Sequence, residues 1–454
     1  MRLQKFMSLL LSCIMLCLSF QANCLSIYAE ALSAAEPTTD SDGTQAWNKS
    51  LGTDAYPQFS GKAVSYISEQ GEEVYSNTNI SCNNHSYVNG ICKTCGEYEV
   101  PTLENGAYQL SNYGELVWFQ QYVDADNTGA NAVLTADITA NKNLLKEDGS
   151  VSDVPVYKWT PIGRDLKLYY TGTFDGNGHI ISGLYSYYTD VYCGLFAKMK
   201  GTIKNLGIVD SYFGGKDCYN AASFAGIGYL NSVIENCFSD SSVVGYAYCG
   251  GIAGETYGKI SNCYYIGKIT ADSTDSNAIS SDKYNYGALE NCYYLESCGL
   301  STTRAVGKTA EQFASGDVCY ILKSSENNLV WGQNLSSEGS MPVLTSDEEL
   351  RVYRVTTVKD DASSSYYSNS SCTLPADDTG YWIDENGKVL YSPAKITKDT
   401  TITFKQFVSV LGDVNQNGKV EKADAAAVLR HVSGISLISD EAELLLADVN
   451  RDGN

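Results

Sequence analysis

The sequence predicts a mainly β protein: a long coil of short parallel strands, then a small all-β module, then a C-terminal segment of loop–helix units. Three observations carry that expectation. Related phrases centred on Asn205, Asn236, Asn262 and Asn291 recur 31, 26 and 29 residues apart, and periods of that size belong to solenoids. The spacers are short apolar runs broken by Gly, Asn and Asp, with no sustained helical period. The 454 residues include 34 Tyr and 40 Gly but only 8 Pro and 3 His, which suits repetitive β structure and leaves little material for His-based catalysis.

A hydrophobic content of 43% and an aromatic content of 11% exclude wholesale disorder, and the length implies several domains. With 53 acidic against 31 basic side chains, the net charge of −22 argues against a nucleic-acid partner, which needs clustered Lys and Arg. Residues 1–31 read as a signal peptide. Arg2 and Lys5 precede the apolar run Met7–Phe20, and Ala29-Glu30-Ala31 offers a small-x-small cleavage site. No other stretch approaches the length of a membrane span, so a soluble, exported protein is expected. Residues 32–81 read as an irregular linker.

Residues 82–98 form a candidate metal knuckle. Cys82, His85, Cys92 and Cys95 follow the spacing C-x2-H-x6-C-x2-C, with Gly90 and Gly96 permitting tight turns. Three sulfurs and one imidazole suit Zn²⁺, and four filled positions make the site structural rather than catalytic. The competing reading is disulfide pairing, which an oxidising exterior favours. The segment resembles short C-x-x-H…C-x-x-C-G modules of surface proteins from Gram-positive gut bacteria.

The repeats come next. Gly201-Thr-Ile-Lys-Asn205, Ser232-Val-Ile-Glu-Asn236-Cys237-Phe, Lys259-Ile-Ser-Asn262-Cys263-Tyr and Ala288-Leu-Glu-Asn291-Cys292-Tyr are variants of one phrase. A second series runs Cys193-Gly-Leu-Phe, Ser223-Phe-Ala-Gly and Cys249-Gly-Gly-Ile-Ala-Gly. A coil of parallel strands stacks Asn on Asn and Cys on Cys in successive rungs. Cys237, Cys263 and Cys292 are then packed thiols on the inner face rather than disulfides, although rung spacing allows oxidation of neighbours. Nine Cys lie between Cys193 and Cys372, an odd number that leaves at least one unpaired within the chain.

Tyr108-Gln-Leu-Ser-Asn-Tyr-Gly-Glu-Leu-Val-Trp118, Val133-Leu-Thr-Ala-Asp137, Trp159-Thr-Pro-Ile-Gly163 and Gly172-Thr-Phe-Asp175-Gly-Asn-Gly-His179 precede the Asn-Cys-Tyr rungs. In that order they resemble a GLUG-repeat domain, similar to the β-helical segments of bacterial surface adhesins and some secreted peptidases. The resemblance implies a right-handed parallel β-helix (solenoid) over 104–350, with a helical cap near 112–123 and a closing element from Phe313 to Leu344. Polysaccharide lyases and hydrolases also use β-helices, and Arg164, Asp165, Asp175, His179 and Asp190 are the best candidates for a catalytic group there. Asp175 sits in a tight-turn sequence and His179 stands alone, and no paired carboxylates recur at rung spacing.

Residues 352–410 alternate as one compact all-β unit that resembles the β-rich repeats of internalin-type surface proteins; it suits a spacer or a glycan-binding module, and Tyr381 and Trp382 alone do not decide between them. Residues 413–424 then match a 12-residue calcium loop. Asp413, Asn415, Asn417 and Asp424 supply oxygens at positions 1, 3, 5 and 12, and Gly418 makes the turn. Lys419 contributes its carbonyl and Glu421 completes the shell. An apolar helical run covers Ala425–Val432. A second helix ends at Ala447, and Asp448, Asn450 and Asp452 begin a second loop that reaches position 7 at Asn454. The duplicated loop–helix of 411–454 resembles a type I dockerin, EF-hand-like and α-helical. That resemblance implies Ca²⁺, a cohesin module of a scaffoldin as partner, and Lys422 and Ala423 as partner-reading residues. It also implies a second repeat shortened at the end of the sequence. The expected function is an extracellular cellulosome-type or cell-surface component that docks through calcium and presents a β-helix for polysaccharide or surface binding. The alternative is a polysaccharide-degrading hydrolase or lyase with its active site on the β-helix.

Overall fold

The computed structural model describes residues 65–69, 72–76, 85–152, 155–164, 169–281, 287–322, 325–326, 329–377, 379–407, 409–439 and 441–449. The chain forms two compact units, Met1–Pro101 with Asn112–Phe119, and Thr102–Ser111 with Gln120–Asn454. In the first, Ser65–Glu69 pairs with Glu72–Ser76 and the short strand Tyr87–Val88 pairs with Ile91–Cys92, both antiparallel. The helix Tyr113–Asp124, expected as a cap, begins in this unit and ends in the second.

The second unit is built on a parallel β-solenoid of about four turns. Its main sheet stacks Ala107–Leu110, Asn131–Leu134, Thr173–Asp175, Thr202–Val209 and Val233–Ser239. The stack continues through Lys259–Ser261 with Tyr264–Tyr265, then Ala288–Glu290 with Tyr293–Leu295, to Val306–Lys308. A second sheet stacks Tyr185–Ser186, Tyr212–Gly214, Ser242–Gly245 and Lys268–Ala271. A third stacks Phe196–Met199, Ala225–Gly228 and Ala253–Thr256.

The repeated phrase is the corner of each rung. Asn205, Asn236, Asn262 and Asn291 all hold the left-handed conformation, at φ of 53°, 52°, 51° and 53°. Asparagine tolerates this region better than other residues with a Cβ. Their amides form one column along the solenoid. Asn236 Nδ2 donates to Asn205 Oδ1 at 3.1 Å, Asn262 to Asn236 at 3.3 Å, and Asn291 to Asn262 at 2.7 Å. At the lower end Asn205 donates to Asp175 Oδ1 at 3.0 Å, which assigns Asp175 a structural task.

After each corner the chain is extended, so consecutive side chains point to opposite faces. Cys237, Cys263 and Cys292 are buried, and Phe238, Tyr264 and Tyr293 stack in register on the other side. That aromatic strip is covered by the helices Ala310–Ala314 and Asp317–Leu322 and by the hairpin Leu329–Gly332 with Val343–Thr345. Phe313, Val318, Cys319, Leu322, Trp331 and Leu344 close the cluster. The described cysteines form no disulfides. The second series departs from Cys-on-Cys stacking: Cys193 lies in register with Ala221, and its sulfur neighbours that of Cys218 at 3.3 Å.

Residues 353–406 make a five-stranded sheet ordered Ala362–Ser368, Tyr353–Lys359, Thr400–Gln406, Gly380–Ile383, Val389–Leu390, with one parallel pair at its centre. Trp382 is in its core, with Nε1 donating to the Pro375 carbonyl at 2.8 Å, so it is not a surface contact for a glycan.

The column yields a quantitative expectation. Replacing Asn236 by Ala removes its amide bonds to Asn205 and Asn262 and puts a residue that tolerates the left-handed region less well at the corner, a loss of about 2–4 kcal/mol in a denaturant melt of the solenoid. Asn236→Gly should recover the backbone part, about 1 kcal/mol, and leave the amide deficit. Equal losses for the two variants would show that the backbone conformation contributes nothing.

Candidate functional sites

Residues 413–424 fold as a loop wound around oxygen atoms. Asn417 N and Gly418 N donate to the Asp413 carboxylate at 3.1 and 2.7 Å. Asn415 Oδ1 accepts from Asn417 N at 3.1 Å, and Asn417 Oδ1 from Lys419 N at 3.0 Å. Asp424 reaches back from the following helix, accepting from Asn415 N at 3.1 Å and from Glu421 N at 2.8 Å. Gln416 and Gly418 take φ of +55° and +85°, and the glycine supplies the sharp turn.

Asp413 and Asp424 are 0% and 2% exposed, and among the described residues neither forms an ion pair. Backbone amides orient both carboxylates toward the inside of the loop, and an oxygen-only donor set of this kind suits a hard divalent ion. The residues present therefore fit Ca²⁺. The helix runs Lys422–Val432, three residues earlier than the apolar run indicated, because Asp424 caps the Glu421 amide and starts the first turn. Lys422 and Ala423 lie exposed on that turn. Gly412 N donates to Leu446 O at 2.8 Å, bringing the start of the first loop beside the helix Glu441–Ala447 that leads to Asp448. Asn450 and Asp452 lie outside the described residues. Along the first helix an apolar groove of about 450 Å³ is lined by Val414, Val420, Val428, Leu429, Val432 and Val449.

Of the metal-knuckle residues, His85, Cys92 and Cys95 come together, with ligand atoms within 4.8 Å of one another. Cys82 lies outside the described residues. Burial raises the Cys92 thiol, but the Cys95 and Thr94 amides, the His85 ring and the Ser86 amide outweigh it and bring the pKa to about 5. The solenoid thiols are the opposite case. Burial pushes Cys249 up to about 11 and Cys319 to about 12, and Cys263 well above its ordinary value.

The described catalytic candidates do not converge. Arg164 grips Asp190 with both carboxylate oxygens at 2.7 and 2.8 Å and stacks on Tyr188. His179 Nδ1 meets Asp137 Oδ1 at 3.1 Å, while Asp175 caps Asn177 N and the Asn205 amide. Asp165 lies outside the described residues. The structure does bring two carboxylates to one cleft that the repeated phrases do not mark. Asp210 and Asp240 are 30 residues apart, and Asp240 Oδ1 accepts from Asp210 N at 2.7 Å. They line a cleft of about 250 Å³ with Lys146, Glu147 and Lys268. Asp240 keeps an exposed edge, yet desolvation by the surrounding protein and the Asp210 charge raise its pKa. Asp210 spends its oxygens on Leu144 N and Leu145 N, at 2.9 and 2.8 Å. Both carboxylates therefore hold backbone in place. No helix among the described residues is long and apolar enough to cross a membrane.

The fold and the loop together define a β-solenoid protein with a calcium-type docking segment. Residues 411–454 match the Dockerin type I domain family. Type I dockerins bind calcium and imply a cohesin partner, and proteins that carry them are typically extracellular or cellulosome-associated. No curated protein matches the chain. Among solved structures, one described as "a putative immunoglobulin A1 protease from Bacteroides ovatus" is 21% identical, covering 56% of this chain and 96% of that one. Its TM-score is 0.36.

The Ser409 hydroxyl and the loop amides hold the Asp413 carboxyl below its ordinary value. A depressed pKa stabilises the fold at pH above the unfolded value near 3.9, and the contribution fades as pH falls through the lower folded value. Without calcium, amide protection at Asn417 and Gly418 should therefore hold steady from about pH 7 to 5 and fall below about pH 4 in hydrogen exchange.

Proposed function

We propose that the protein is an exported cellulosome-type or cell-surface component, fixed to a cohesin-bearing scaffoldin by its dockerin, with a GLUG-type solenoid that presents a surface to polysaccharide. In this reading residues 1–31 direct export. The first calcium is held by Asp413, Asn415, Asn417, the Lys419 carbonyl, Glu421 and Asp424, and Asp448, Asn450 and Asp452 open the second site. Lys422 and Ala423 meet the cohesin. A structural zinc is held by Cys82, His85, Cys92 and Cys95.

The observation that carries the docking role is the oxygen-lined loop closed by the buried carboxylates of Asp413 and Asp424, inside the segment that matches the dockerin family. The exposed Leu429, Val432, Ile435 and Leu437 nearby supply apolar area of the kind that marks an interaction surface. Presentation is favoured over catalysis because every described catalytic candidate is committed to a turn, a cap or an ion pair.

Asp424→Ala should weaken binding to immobilised type I cohesin in calcium by about 100-fold or more, because it removes both a ligand and the cap of the first helix. The measurement is biolayer interferometry on the full chain. Unchanged binding by Asp424→Ala and by Asp413→Ala would overturn the calcium-docking reading.

A further inference from the structure

The two halves of the His/Cys cluster flank a tight hairpin whose tip does a second job. Tyr87–Val88 pairs with Ile91–Cys92 through the turn Asn89–Gly90, with φ of 48° and 74°. The Asn89 carbonyl accepts from Gly114 N at 2.9 Å, and the Asn89 Oδ1 accepts from Tyr113 N at 3.2 Å. Asn112 Oδ1 takes the Glu115 amide at 3.0 Å, while its Nδ2 donates to Glu99 Oε2 at 3.0 Å, and Glu99 N returns to Gly90 O at 2.7 Å. Three of the amides that a helix leaves unpaired in its first turn are thus satisfied, two of them by Asn89. The approach is close: a Cβ on Gly114 would stand 1.9 Å from the Gly90 carbonyl oxygen.

A hairpin of two residues per strand cannot hold such a tip in place alone. The cluster supplies what is missing. Cys95 Sγ and His85 Nδ1 are 3.4 Å apart. A tetrahedral zinc with Zn–S of about 2.3 Å and Zn–N of about 2.0 Å places such ligands about 3.5 Å from each other. His85 Nε2 faces the Glu97 carboxylate at 3.4 Å, the outer partner that fixes the tautomer of a zinc-bound imidazole.

Resting on the zinc reading above, we infer that a divalent zinc ion bound by His85, Cys92 and Cys95 locks the Asn89–Gly90 tip and so acts as the remote N-cap of the helix Tyr113–Asp124. Metal binding here is coupled to the start of a helix that continues into the second unit.

The full chain is loaded with zinc in excess calcium, and hydrogen exchange is followed before and after a zinc-selective chelator. One zinc per chain is expected by elemental analysis. Chelation should speed exchange at Tyr113, Gly114 and Glu115 by about tenfold or more, with the strand Val233–Ser239 unchanged. Gly114→Ala should keep the zinc and lose the same protection, although Ala is the better helix former. Zinc binding with exchange unaltered by chelation overturns the clamp and leaves the metal reading standing. A chain that takes no zinc and carries a Cys92–Cys95 disulfide, seen as the loss of two hydrogens in mass, overturns the metal reading itself.

Discussion

The column of side-chain amides from Asn205 to Asn291, seated on the Asp175 carboxylate, is the constraint on which the rest of the solenoid depends. Each asparagine turns its rung through a left-handed corner and donates its amide to the side chain of the rung before it, so turn geometry and inter-rung register are fixed by the same residue. A slip of one residue would send every cysteine to the outer face and every aromatic inward. Small thiols therefore fill the narrow interior, and Phe238, Tyr264 and Tyr293 form an outer strip too apolar to leave in water. The closing helices follow from that strip: Phe313, Val318 and Trp331 are its cover.

The Asn and Cys columns were legible in the sequence because one phrase recurs with residues that suit few other environments. The calcium loop was legible for a different reason. Its spacing is set by the reach of oxygen ligands around one ion, so Asp413, Asn415, Asn417, Gly418 and Asp424 announce themselves without context. Asp210 and Asp240 did not. Their flanking residues differ, and only the three-dimensional register lays one over the other. Trp382 offered an aromatic that sequence alone places equally well in a core or on a surface, and packing against Phe404 decides for the core. The start of the first dockerin helix was missed by three residues because its signal is the Asp424 cap rather than apolar periodicity.

Chemistry divides along the chain. The solenoid carries its cysteines as packing atoms, with burial holding the thiols protonated, whereas the N-terminal knuckle directs backbone amides at Cys92 and favours its thiolate. The same residue type is filler in one place and a metal-type donor in the other, and local hydrogen bonding makes the difference. The C-terminal loop uses a third device, burying two carboxylates in a shell of amides and side-chain oxygens that a hard cation completes.

The central claim is that residues 411–454 attach this solenoid to a scaffold through calcium. Surface plasmon resonance of the chain beginning at residue 32, beside the same chain ending at residue 410, on an immobilised panel of type I cohesins tests it most directly. The account predicts binding in calcium that is abolished by EDTA and absent from the shorter chain. Binding that persists in EDTA, or that the shorter chain retains, would contradict it.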